Sequence, residues 1–345
     1  MMDEWQAWCS AHGGHFDAVG RLVFEGHARE LQAARDGQTV FSPLTQFALL
    51  RVSGADALDF LQGQLSSDLR ELNGTNAQYS SYSSAKGRML ASFLVWRQGD
   101  DFYLMLSADI ADAIQKRLSM FVLRSKVKIE RVDREYRLLG VAGEAAIDVL
   151  AAIGLIVPSE AMLLSETAGG VAIRQRAGSY LLALPEMTAL KSASALLDKA
   201  VRPIGNQAWD AFDIAAGIAW VTRPTQEQFV PQMANMDLIG AVSFKKGCYP
   251  GQEIVARTQY LGKLKRRLFR ATVAAEVAVG DALYSPSVPG QTIGMVANIV
   301  RTGEAQMELL VVVQAAAWES GIFVGSPEGV RLSPLTLPYD LPASN

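Results

Sequence analysis

A chain of 345 residues is longer than one hydrophobic core usually organises, so two or three domains are expected. Half of its residues are hydrophobic and its formal net charge is -3, which makes it globular and gives it no overall attraction to nucleic acid or to an anionic membrane. Its two cysteines, Cys9 and Cys248, do not make a disulfide framework and fit a reducing compartment better than a secreted one, the N-terminus with Asp3 and Glu4 lacks the form of a signal peptide, and no apolar run is long enough to span a bilayer. A cytoplasmic protein without membrane contact is the expectation.

Residues 1–40 hold all three histidines, His12, His15 and His27, and are read as an N-terminal extension. Their spacing with Cys9 resembles a metal site, but without a second cysteine they are read as solvated side chains. A regular pattern begins near Gln46: a strand over 47–52, Ser53 as N-cap, and a helix over 55–65. Strands over 77–83 and 89–96 flank the turn at Lys86-Gly87, and a third strand covers 102–106. Ile110, Ile114, Leu118 and Phe121 then recur at helical spacing, followed by a strand over 127–132. The order restarts with a strand at 138–141, a helix at 144–153, strands at 171–176 and 180–184, and helices at 187–200 and 206–216. Two ferredoxin-like units account for the repetition. Beyond Leu268, short strands at 269–273, 282–284, 292–300, 308–313 and 330–335 are separated by Gly and Pro, as in a small β-barrel or sandwich. The fold class is α+β, with an extension over 1–40, α+β domains over 41–135 and 136–265, and a barrel over 266–345.

The second α+β domain carries Phe244-Lys245-Lys246-Gly247-Cys248-Tyr249-Pro250-Gly251-Gln252-Glu253. A thiol acts as nucleophile or soft-metal ligand in its thiolate form, which neighbouring cations such as Lys245, Lys246 and Arg257 favour, as does a helix N-terminus. Pro250 suits a first helical position, which would put Cys248 close to such a terminus. Equally, Cys248 could be a small buried hydrophobe beside a strand-to-helix turn, the commonest fate of a free cysteine.

Together with Gln228-Phe229-Val230-Pro231-Gln232 and Asn235, this segment resembles the YgfZ family of folate-binding proteins, whose signature Lys-Gly-Cys-Phe/Tyr-x-Gly-Gln-Glu is complete from Lys246 to Glu253. The run from Phe60 to Asp68, the turn Lys86-Gly87-Arg88, and the stretches from Ile254 to Thr258 and from Gly262 to Phe269 also look like the family, so the resemblance covers roughly residues 45–335. It implies the superfamily of the glycine-cleavage T-protein, an aminomethyltransferase using tetrahydrofolate, with three domains in a ring around the folate. For this branch it implies a role in iron-sulfur cluster assembly or repair and, through iron-sulfur enzymes, in tRNA modification.

T-proteins carry Gly-Gly-Ile-x-Asp-Asp after a glycine turn, where this chain has Lys86-Gly87-Arg88-Met89-Leu90-Ala91 and no acid. Their pterin-binding pattern Arg-x-Glu-x-Gly corresponds to Asp213-Ile214-Ala215-Ala216-Gly217, with Asp213 as a candidate substitute. Folate binding is expected and aminomethyl transfer is not, which leaves open whether the chain is an enzyme. The resemblance makes Cys248, Lys246, Gln252 and Glu253 the candidate catalytic residues, and Lys86, Arg88, Asp68, Gln62, Tyr249 and Arg257 the candidates for binding tetrahydrofolate or a folate derivative. No resident metal is expected, because one cysteine cannot hold a four-thiolate cluster; a cluster in transit would need a partner iron-sulfur enzyme, an assembly protein or a small thiol beside Cys248. Gly247 and Gly251 are read as serving tight backbone geometry. Paired lysines at a strand end are usually solvated, Glu253 could serve a helix first turn, and Arg257 could pair with it at i, i+4. Two other functions stay in view: a folate-dependent one-carbon transferase, and an RNA-binding module using Lys263, Lys265, Arg266, Arg267 and Arg270 on phosphates.

Overall fold

The computed structural model describes residues 3–18, 20–176, 178–260 and 264–342. They divide into two compact units, one made by the described residues of Met1–Ala57, Arg70–Gln78 and Leu94–Trp209, the other by those of Leu58–Leu69, Tyr79–Phe93 and Asp210–Asn345. The architecture is α+β.

In the first unit, the strand Phe47–Ser53 pairs antiparallel with Asp101–Ser107 and Lys128–Arg131 (Leu49 opposite Met105, Val52 opposite Ile129), and residues 94–98 add to its Asp101–Ser107 edge. The near-continuous apolar run Phe47-Ala48-Leu49-Leu50 is buried throughout, as a strand covered on both faces requires. Ser53 ends this strand instead of capping a helix. The following helix is shorter than its spacing predicted, Ala57–Gln62, because Gly54 at φ +114° turns the chain so close to Lys126 that a Cβ there would meet its carbonyl. The helix Ala111–Ser119 also stops early: Phe121, predicted on its apolar face, lies past its end and is exposed.

A six-stranded sheet in the same unit runs in the order Leu164–Thr167, Gly170–Arg176, Ser179–Pro185, Tyr136–Ala142, Val40–Pro43 and Arg202–Pro203, only the last pair being parallel. Helices Ala146–Ala152 and Glu186–Asp198 bury Ala146, Leu150, Ala189, Ala193 and Leu196 against Leu139, Val141 and Leu182. The N-terminal residues, to which periodicity assigned no element, supply helices Glu4–Ala11 and His27–Arg35 and bury Trp5 in that core. Glu30 is fully buried and accepts N–H groups from Phe24, Glu25, Gly26 and Gly205, so its carboxylate satisfies donors that would otherwise be orphaned.

The second unit carries an antiparallel seven-stranded sheet in the order Val330–Arg331, Phe323–Val324, Ala282–Tyr284, Gly294–Arg301, Met307–Gln314, Arg266–Val273 and Ser333–Leu335. Its first and last strands are separated in sequence by Leu332 alone, so the sheet nearly closes on itself around Leu283, Val296, Leu309 and Val311. Among the described residues no helix is long and apolar enough to cross a membrane.

Candidate functional site

The second unit gathers three segments around the cysteine motif: the hairpin residues 79–93, the turn after Gln62, and residues 226–260. At the hairpin tip Ser84 N donates to Arg88 O and Gly87 N to Ser84 O, with Gly87 at φ +68°. Residues 226–229 are tied to the adjoining strand: Met89 N donates to Phe229 O, Glu227 N to Met89 O, and the Gln226 side chain to Leu90 O. Ser66 Oγ donates to Ala241 O at 2.6 Å while Ser243 N donates to Ser66 O, which fixes the chain just before the motif.

Lys246 is 6 % exposed, and its ammonium donates to Leu65 O at 2.6 Å and to Ser67 O at 2.9 Å, lying 5.3 Å from the centre of the Tyr249 ring. Such a buried ammonium is held by charge-assisted hydrogen bonds to carbonyls. Lys245, Gly247 and Cys248 are exposed. Tyr249 is buried, and burial pushes its phenol up to about 12. The motif therefore alternates between anchors at Lys246 and Tyr249 and an outward tip at Gly247-Cys248.

The helix begins at Gln252, with Gly251 O accepting Ile254 N and Val255 N, so Pro250 lies outside it and Cys248 precedes the helix by a short turn. Gly251 has φ +80°, and a Cβ on it would lie 2.5 Å from both Gly87 Cα and Ser84 O. Two glycines thus let the motif and the hairpin tip meet backbone to backbone. Gly247 differs: its φ is not positive, and a Cβ there would meet nothing within 4 Å.

Of the other predicted site residues, Lys86 is exposed, and Arg88 donates to Gln228 O. Burial, and then the charge of Arg88, hold Arg266 below the usual arginine range, so two guanidinium groups act on one region. Neither Lys86 nor Arg88 is ion-paired among the described residues, and nearby Ser83 Oγ, Ser84 Oγ and Gln64 Oε1 are buried oxygens with no hydrogen-bond partner. Gln62 and Asp68 are engaged locally: Gln62 Nε2 donates to Asp68 Oδ1, and Gln62 Oε1 accepts Leu69 N. Glu253 and Arg257 are exposed on the helix and do not pair with each other. Asp213 is buried and accepts Trp220 Nε1, whereas Ala215, two positions on, is exposed. Residues two apart on a helix point in nearly opposite directions. Asp213 therefore does not present a carboxylate where Ala215 stands.

In the basic strip, Arg267 pairs with Asp237 through both guanidinium nitrogens and Arg270 pairs with Glu308, while Lys263 lies outside the described residues. Sequence reasoning missed Leu65 O and Ser67 O as the partners of Lys246, since backbone carbonyls leave no compositional signal. It also missed Tyr339, whose hydroxyl donates to Gly217 O from the C-terminal segment.

The two thiols differ sharply. Cys9 is fully buried, and burial, with the charge of Asp3 adding to it, pushes it up to about 12. A thiol-specific alkylating reagent at pH 8 is therefore expected to label the native protein at Cys248 only, and Cys9 only after unfolding. Mass spectrometry of the native adduct checks this, and substantial native labelling at Cys9 would contradict it.

Comparison with known proteins gives one picture. The GCVT N-terminal domain family matches residues 5–163. The tRNA-modifying protein YgfZ of Escherichia coli O157:H7 is 31 % identical over 303 residues, covering 86 % of this chain and 92 % of its own. That of Edwardsiella ictaluri is 34 % identical over 243 residues, covering 68 % and 72 %. The crystal structure of glycine cleavage system aminomethyltransferase T from Bartonella henselae superposes with a TM-score of 0.81 over 97 % of this chain and 96 % of its own, at 21 % identity, which is a likeness of fold.

Proposed function

The chain belongs to the YgfZ family, and from that premise we propose that it is a cytoplasmic folate-binding accessory protein that presents Cys248 as a working thiol in support of iron-sulfur-dependent tRNA modification. The observation that carries the reading is the outward Gly247-Cys248 tip on an otherwise anchored motif, with Lys246 buried on Leu65 O and Ser67 O. An accidental cysteine would have no need of such anchoring.

The donor set supports folate. Ser83 Oγ, Ser84 Oγ and Gln64 Oε1 are buried oxygens that make no hydrogen bond within the protein, and on the same hairpin Lys86 is an exposed cation without an ion pair while Arg88, which gives one N–H to Gln228 O, keeps its other donors for the carboxylate tail. When bound, tetrahydrofolate supplies nitrogens that accept or donate one-carbon units. Gln62 and Asp68 shape the adjoining turn, Tyr249 carries the Lys246 ammonium on its ring, and Lys246 acts as a positioning residue. Gln252 and Glu253 follow the thiol in the first helical turn, and Arg257 offers a second exposed cation. The iron-sulfur cluster or sulfur species is cargo, met by Cys248 together with a ligand from a partner protein or a small thiol.

Aminomethyl transfer lacks its acid, since residues 86–91 hold none and Ala215 occupies the glutamate position. The RNA-binding reading loses Arg267 and Arg270 to internal ion pairs. Titration with tetrahydrofolate, followed by tryptophan fluorescence, is expected to saturate for wild type, with Lys86→Ala weakening binding about tenfold through loss of a charge-assisted contact. The absence of any saturable change in wild type would remove folate from the reading.

A further inference from the structure

An exposed apolar tip in the first unit stands apart from the cysteine motif. After the helix Ala111–Ser119, Met120 is 59 %, Phe121 46 % and Leu123 87 % exposed. These large apolar side chains lie within four residues of one another on one exposed segment, and clustered exposed apolar groups mark interaction sites. Residues 116–126 contain Lys116, Arg117, Arg124 and Lys126 and no acid, on a chain whose net charge is -3. None of the four is ion-paired among the described residues.

The segment is built and held in place. Phe121 N donates to Leu118 O, Val122 N to Ser119 O, Ser125 N to Val122 O, and Lys126 N to Asp56 Oδ2 at 2.7 Å. Leu123 occupies a left-handed backbone conformation at φ +47°, which disfavours a leucine, and its side chain gains almost no burial in return. Asp56 and residues 121–125 line a shallow depression that is largely open to solvent.

We propose that this tip is a docking surface for a protein partner that presents an acidic, amphipathic segment: its apolar side chains cover Phe121 and Leu123, and its carboxylates meet Lys116, Arg124 and Lys126. Charge complementarity selects the occupant. A flat anionic bilayer would set its headgroups against the Asp56 carboxylate as well as the cations. RNA would set phosphates against the aliphatic Met120 and Leu123. The inference is independent of the folate and thiol reading.

The test uses the full chain and a fluorescent helical peptide with Leu and Phe on one face and Glu on the other. Its twin carries Lys for Glu, and tRNA and phosphatidylserine vesicles serve as separate arms. The acidic peptide is expected to bind wild type at least about tenfold more tightly than the twin. Leu123→Gly is expected to weaken that binding about tenfold while raising Tm, because it removes both the anchor and the left-handed strain. Lys116→Glu combined with Arg124→Glu should weaken it further at unchanged Tm. Equal binding of both peptides, acidic-peptide binding unchanged by Leu123→Gly, or a dependence on Leu123 seen only with tRNA or vesicles would each overturn the proposal.

Discussion

Cys248→Ala is expected to abolish complementation in a bacterial strain whose own YgfZ gene is deleted, leaving the activity of an iron-sulfur enzyme of tRNA modification at the level of the empty vector. Folding stability should change by less than about 0.5 kcal/mol, because the side chain is exposed and replaces no packing. The separation of the two readouts is the point: a structural cysteine would lose stability and function together, and an idle one would lose neither. Cys9→Ala supplies the contrast, since it opens a small space in a closed cluster with Leu22 and Phe24 and should cost about 1 kcal/mol of stability without loss of complementation. Full rescue by Cys248→Ala would sink the thiol reading while leaving folate binding to be judged by its own titration.

Lys246 shows why the motif had to be seen folded. In sequence it stands beside the cysteine as a second cation able to favour a thiolate or hold an anionic tail. Folded, its ammonium is buried on two carbonyls from the turn after Gln62, some 180 residues away in the chain. Charge patterning reports only that a cation is present, and the partner that decides its role is a backbone group supplied by tertiary structure. Phe121 is a parallel case, because helical spacing continues through it although the hydrogen-bonded helix ends at Ser119. Where burial demands a strict pattern, as in the strands around Leu49, Leu139 and Leu309, the spacing located the elements closely. Where a turn, a cap or a carbonyl decides, the pattern carried no signal.

The candidate site was legible as a list and opaque as an arrangement. The hairpin Lys86-Gly87-Arg88 and the cysteine motif stand out separately in the sequence, but nothing there indicates that Gly87 and Gly251 meet face to face. The fold is that of an aminomethyltransferase, residues 86–91 hold no acid, and the hairpin tip packs against the turn that follows Cys248.

Gly251→Ala is expected to lower stability by about 3 kcal/mol or more and to cost activity with it. Two terms add. A non-glycine residue at φ +80° carries about 1–2 kcal/mol of backbone strain, and a Cβ placed 2.5 Å from Gly87 Cα and Ser84 O forces two backbone segments apart, an overpacking cost of about 1–3 kcal/mol. Neither neighbour is the end of a flexible side chain, so nothing can rotate aside. Gly247→Ala, four positions earlier in the same motif, should leave stability unchanged or raise it by up to about 1 kcal/mol, because its Cβ meets open space and the unfolded chain loses freedom. Urea denaturation of both variants reads the difference directly. Equal stability of the two would mean that the hairpin and the motif are not held together by the close approach of Gly87 and Gly251. If instead Gly251→Ala falls as expected while Gly247→Ala keeps its stability and loses complementation, the demand for glycine beside Cys248 comes from whatever approaches the thiol, since the protein's own packing makes none.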